Sequence, residues 1–112
     1  SLPFYSTVLI VIALAYVLFT VMADAFQTIL TESAIAAVFI VVAVVGSRWS
    51  DPLVAGLVVA GGLAVHGAYD LVHAVLVPNP VVPGWWPLFC GAVDMLLAGW
   101  VARLVVKGDL HA

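Results

Sequence analysis

The sequence predicts an all-α integral membrane protein built as a bundle of four antiparallel transmembrane helices. Of its 112 residues, 66% are hydrophobic and 8% are charged, whereas a soluble domain carries about 25% charged residues. Several apolar runs are each long enough to cross a hydrocarbon core, which takes about 20 helical residues. A membrane β-barrel would need alternating segments of about 10 residues, but these runs are continuous in Leu, Val, Ile and Ala. We therefore expect one four-helix domain over residues 1–112.

The breaks between the apolar runs predict spans at about residues 3–26, 32–47, 52–77 and 86–106. In the second span we expect Thr31 to cap the helix and Glu32 to lie in the first turn, where the helix dipole favours an anion. Asp51 and Pro52 predict the start of the third span, since aspartate caps helices and proline suits their first position. The segment 78–87 contains four prolines, which interrupt helices, so it predicts the last connection.

The basic residues predict how the bundle is oriented. Arg48, Arg103 and Lys107 all fall in the loop or tail that four antiparallel spans place on one side of the membrane. Positive charges mark the cytoplasmic side, so we expect both termini in the cytoplasm and the bundle in a bacterial cytoplasmic (inner) membrane. The lipid bilayer is the expected surrounding, and no nucleic-acid partner is expected.

Small residues on the third span predict self-association. An alanine ridge and several glycines lie on this span, and small residues let membrane helices approach closely. So short a chain can hardly enclose a long pathway alone, which also favours a homo-oligomer. The ridge consists of Ala60, Ala64 and Ala68, with glycines at positions 56, 61, 62 and 67.

Ionisable residues inside the apolar spans predict a functional site. His66, Asp70 and His73 follow one another at i, i+4 and i+7, so they share one stripe of the third helix. Each such group near a bilayer centre costs roughly 2.5 kcal/mol or more, and intramembrane ionisable residues are functional by default. Asp94 lies in the outer half of the next span. We expect these side chains to meet in a polar cavity that opens outward.

Metal binding is the sharpest interpretation of this pattern, because imidazoles and carboxylates together suit zinc or copper, with iron or manganese as alternatives. The expected ligands are His66, Asp70, His73 and Asp94. The residues expected beside the ligands or along the access route are Asp24, Glu32, Tyr69 and Cys90. His66 and His73 lie about 10 Å apart along the helix axis, so we expect one ion to touch only two of the three residues on that stripe. A second ion, or a histidine that handles protons, is left open.

Several functions fit this site on sequence alone. A metal ion could be bound, sensed or transported. The same stripe could relay protons, since histidine and carboxylate chains do so in membrane proteins. A metal-dependent membrane enzyme could act there on a lipid or a small apolar substrate, although no nucleophile is identified and the substrate is unknown. The polar residues could also form a purely structural network that holds the helices of a membrane subunit together.

Overall fold

The computed structural model describes residues 2–22, 26–76 and 82–109, without the side chains of residues 26, 27 and 74–76. Within these ranges the chain forms four helices. They are α1 (Leu2–Met22), α2 (Phe26–Arg48), α3 (Pro52–Leu76) and α4 (Trp86–Val106). Each contains a segment that is long and apolar enough to cross a membrane. The prediction of an all-helical chain with four such helices is therefore confirmed.

The first connection differs from the prediction. Helix α1 ends at Met22 and α2 already begins at Phe26, whereas the second span was expected to begin near residue 32. Thr31 and Glu32 therefore lie inside α2, and the predicted cap at Thr31 is wrong. Polar residues suggested a loop here, but the segment 27–31 contains no glycine or proline, the two residues that strongly disfavour a helix interior.

The start of α3 follows the prediction. Asp51 Oδ1 accepts a hydrogen bond of 2.9 Å from the backbone N–H of Leu53, and the Asp51 carbonyl accepts one of 2.9 Å from Ala55. These are the side-chain and backbone bonds of a helix N-cap. Pro52 occupies the first helical position, where its missing N–H has no intrahelical partner to lose.

Helix α3 lies at the centre of the described structure, because it packs against each of the other three helices. Its closest neighbour is α4, and glycines make that approach possible. A Cβ atom added at Gly67 would lie 3.1 Å from the Cβ of Asp94, and one added at Gly91 would lie 2.9 Å from Cδ2 of Leu71. The small residues thus bring the Asp94 carboxylate close to α3.

The four helices do not pack equally around the bundle. Helix α1 packs mainly on α2 and more lightly on α3, while α1 and α4 share no comparable backbone interface in the part of the chain that is described. Large apolar side chains on every helix are exposed, including Val11 at 63%, Leu57 at 47% and Leu96 at 75%. Such an outer surface suits lipid rather than water.

Candidate functional site

Ionisable side chains from three helices are buried together inside the bundle. Helix α3 supplies His66, Asp70 and His73, α2 supplies Glu32, and α4 supplies Asp94. Each of the five is no more than 2% exposed. The stripe on α3 therefore faces the interior of the bundle, as its spacing predicted.

The structure brings His66, Asp70 and Asp94 together as one group, which we call the triad. His66 Nδ1 lies 2.7 Å from Asp94 Oδ2 and 3.4 Å from Asp70 Oδ2. One potential ligand atom from each residue lies within 4.8 Å of the others. Because zinc binds nitrogen and oxygen ligands at about 2.0–2.2 Å, two ligands of one ion lie no more than about 4.4 Å apart. The triad could therefore hold a metal ion after a small adjustment.

Two carboxylate oxygens of the triad lack hydrogen-bond partners in the described structure, namely Asp70 Oδ2 and Asp94 Oδ1. A buried polar atom without a partner costs about 1–3 kcal/mol, and more when it is charged. A bound cation would satisfy such oxygens and offset their charge. The triad therefore has unused acceptor capacity where a cation would be coordinated.

Tyr16 is a member of the site that the sequence reasoning missed. Its hydroxyl donates a hydrogen bond of 2.6 Å to Asp70 Oδ1, and the residue is 2% exposed. Its ring stacks on His73 with centroids 3.8 Å apart and planes 6° apart. The available signal was its position in the middle of an apolar span, since membrane tyrosines are enriched at the interfaces and a buried one needs a partner for its hydroxyl.

His73 belongs to a neighbouring cluster rather than to the triad. Its Nε2 lies 2.8 Å from Glu32 Oε2, and the Tyr69 hydroxyl donates a bond of 2.7 Å to Glu32 Oε1. We call these three residues the Glu32 cluster. Glu32 thus contacts both Tyr69 and the expected ligand His73. The supporting role of Tyr69 and Glu32 stays a prediction.

Asp24 and Cys90 are the two remaining residues that the sequence predicted for the site. Asp24 lies outside the described residues. Cys90 is a free thiol that is partly exposed, and it lines a cavity of about 160 Å³ that also touches His66 and Asp70. This cavity lies between α1 and α4, along the side of the bundle. The outward opening expected from the sequence stays a prediction.

The triad offers an imidazole nitrogen and two carboxylates, a donor set that suits zinc, copper(II), iron or manganese. Two carboxylates balance the charge of a divalent cation, which lowers the cost of holding it in a medium of low dielectric constant. Comparison with protein-family models, with curated proteins and with solved structures finds no significant match to this chain. What is known of this chain therefore comes from its structure, which has four helices long and apolar enough to span a membrane and a buried triad that could hold a metal ion.

Proposed function

We propose that this chain is an integral membrane protein that binds one divalent transition-metal ion through His66, Asp70 and Asp94. The observation that carries the proposal is the pair of buried carboxylate oxygens that form no hydrogen bond, Asp70 Oδ2 and Asp94 Oδ1, beside a buried imidazole. A network that served only to hold helices together would gain stability by pairing both oxygens. A cation supplies the missing partner for each of them.

Zinc and copper(II) are the proposed ions, with iron(II) and manganese(II) as alternatives, because all four accept mixed imidazole and carboxylate ligands. Three protein ligands leave a further coordination position for water or another ligand, as in catalytic rather than structural zinc sites. Tyr16 supports the site by fixing the orientation of the Asp70 carboxylate, in the way that hydrogen-bond partners orient metal ligands elsewhere. Within the Glu32 cluster, Glu32 holds His73 in place, and the His73 ring in turn packs against the ring of Tyr16.

We also propose that the protein lies in a bacterial cytoplasmic membrane with both termini in the cytoplasm. The basic residues Arg48, Arg103 and Lys107 support this orientation, because antiparallel spans would place all three on one side. Self-association into a homo-oligomer is proposed on the small-residue surface of α3. The accessibility of cysteines introduced at the termini, measured on either side of inverted vesicles, tests the orientation. The mass of the detergent-solubilised protein tests the oligomeric state.

Metal content tests the central proposal directly. Protein purified in detergent and incubated with zinc should contain about one ion per chain, measured by mass spectrometry of the metal. Zinc should also raise its stability, by about 2.7 kcal/mol at a free concentration of 100 times the dissociation constant. Asp94→Asn keeps the side-chain size but removes the charge, so both signals should be lost. Asp109→Asn is the matched control, since Asp109 is exposed. Equal metal content in both variants would overturn the proposal.

Variants of the two buried histidines distinguish the triad from the Glu32 cluster as the metal ligands. His66→Asn should lose the metal, whereas His73→Asn should keep it, because His73 pairs with Glu32. Loss of metal in both variants would show that the ligand set is wrong. If zinc changed nothing in the wild type while Asp70→Asn abolished currents after a pH jump, proton relay would replace metal binding as the function.

A further inference from the structure

The boundary between α1 and α4 is closed at two levels by aromatic side chains. Towards one end, Trp100 Nε1 donates a hydrogen bond of 2.9 Å to the Tyr5 hydroxyl. Towards the other end, the rings of Phe19 and Trp86 meet edge to face with centroids 4.8 Å apart. From Tyr5 to Phe19 is about 21 Å along a helix. Between these two contacts the backbones of α1 and α4 do not pack closely.

The cavity of about 160 Å³ lies in this gap, and we call it the lateral cleft. Its walls are Val11, Ile12 and Ala15 from α1, with Trp86 and Cys90 from α4. The wall surface of the cleft is apolar. Two residues of the triad, His66 and Asp70, also line it and lie on the central helix α3. The cleft therefore leads from the side of the bundle to the proposed metal site.

The size and the apolar surface of the lateral cleft indicate which kind of molecule it can bind. An aliphatic cavity of about 150 Å³ stays free of water and binds benzene, so the cleft has room for roughly six carbon atoms. Val11 at its edge is 63% exposed, and it lies on a helix whose length and composition allow it to span a membrane. The medium at that depth is hydrocarbon. Lipid chains are thus the molecules that meet the cleft most often.

We propose that the lateral cleft binds the hydrocarbon chain of a membrane lipid, which enters sideways from the bilayer and ends against His66 and Asp70. The inference deepens the proposed function, on which it rests for the membrane setting and for the statement that a metal ion lies beside the bound chain. Binding of the chain itself needs the bilayer and the apolar walls, but not the metal ion. The substrate or signal of the metal site would accordingly be an apolar chain rather than a water-soluble molecule.

Photochemical cross-linking tests the occupancy of the lateral cleft. The full chain is placed in lipid vesicles that contain a fatty acid with a diazirine in mid-chain, irradiated, and mapped by peptide mass spectrometry. Adducts should concentrate on the cleft walls of α1 and α4. Ala15→Phe fills the cleft and should reduce these adducts about tenfold, which corresponds to about 1.4 kcal/mol of affinity. Ala37→Phe adds the same bulk to an exposed position of α2 and should leave them unchanged.

Two further variants keep the test decisive. If Ala15→Phe fails to fold, Val11→Trp is used in its place. Val11 is exposed, and the indole ring of a tryptophan there would cover the cleft from outside. Asp94→Asn should lose metal but keep the adducts, whereas Ala15→Phe should lose the adducts but keep the metal. The two proposals can therefore fail separately. Adducts spread evenly over all exposed helix faces, and unchanged by both cleft variants, would overturn the inference.

Discussion

The hydroxyl of Tyr16 offers the cleanest perturbation of the buried site. Tyr16→Phe removes one oxygen and keeps the ring that stacks on His73. The lost bond joins the Tyr16 hydroxyl to Asp70 Oδ1 over 2.6 Å in a buried setting. Asp70 Oδ2 forms no hydrogen bond and lies 3.4 Å from His66 Nδ1, so the variant would leave the buried carboxylate without a hydrogen bond in the described structure.

The expected loss of stability is about 1–2 kcal/mol. Hydrogen bonds to charged groups contribute about 1.5–3 kcal/mol in soluble proteins. Hydrogen bonds between membrane helices average about 0.6 kcal/mol, with a maximum near 1.7, because the unfolded chain in the membrane finds other partners. The variant removes the hydrogen bond that the buried Asp70 carboxylate accepts, which places this bond towards the upper end of the membrane range.

The measurement is the free energy of unfolding in mixed micelles, with Tyr5→Phe as the matched control. Tyr5 also loses one hydroxyl, but its bond from Trp100 is exposed, so we expect a cost below about 0.5 kcal/mol. The same variant bears on the metal site, because removing a hydrogen-bond partner of a ligand typically lowers metal affinity by about 10–100-fold. Zinc titrations of Tyr16→Phe and Tyr5→Phe measure that loss.

The outcome that refutes this reasoning is equal behaviour of the two variants. If Tyr16→Phe costs no more stability than Tyr5→Phe, the buried bond to Asp70 contributes nothing beyond an exposed one. If stability falls but zinc affinity does not, Asp70 is oriented by other contacts, and Tyr16 has only a structural role.

The remaining predictions concern helix packing and capping. Gly67→Ala should destabilise the protein by about 1–3 kcal/mol in unfolding measurements, since the added Cβ would lie 3.1 Å from the Cβ of Asp94. At Gly61 an added Cβ meets nothing within 4 Å. Gly61→Ala should therefore be neutral or stabilising by up to about 1 kcal/mol. Equal effects of the two would contradict the close α3–α4 approach. Asp51→Ala should lower the stability by about 1 kcal/mol, because the hydrogen bond from the Leu53 N–H is lost. Hydrogen exchange in the first turn of α3 should become faster. Unchanged exchange would show that the cap is dispensable.

The stripe on α3 was predictable because helix geometry alone sets which residues share a face. His66, Asp70 and His73 stand on one side of any helix, and the cost of ionisable groups in hydrocarbon requires that side to face inward. The role of Tyr16 was harder to predict, since nothing local distinguishes a tyrosine bonded across the bundle from one that merely packs.

The sequence by itself determined the helices, their number and the inward stripe, since apolar run length, proline placement and helical periodicity act within one segment of chain. Only the tertiary structure decided which acid each histidine meets. Asp94 reaches His66 because Gly67 and Gly91 let α4 approach α3 closely, and Glu32 reaches His73 because α2 begins early enough to carry it inside. The lateral cleft likewise exists only where α1 and α4 fail to pack, which depends on how all four helices share the space around α3.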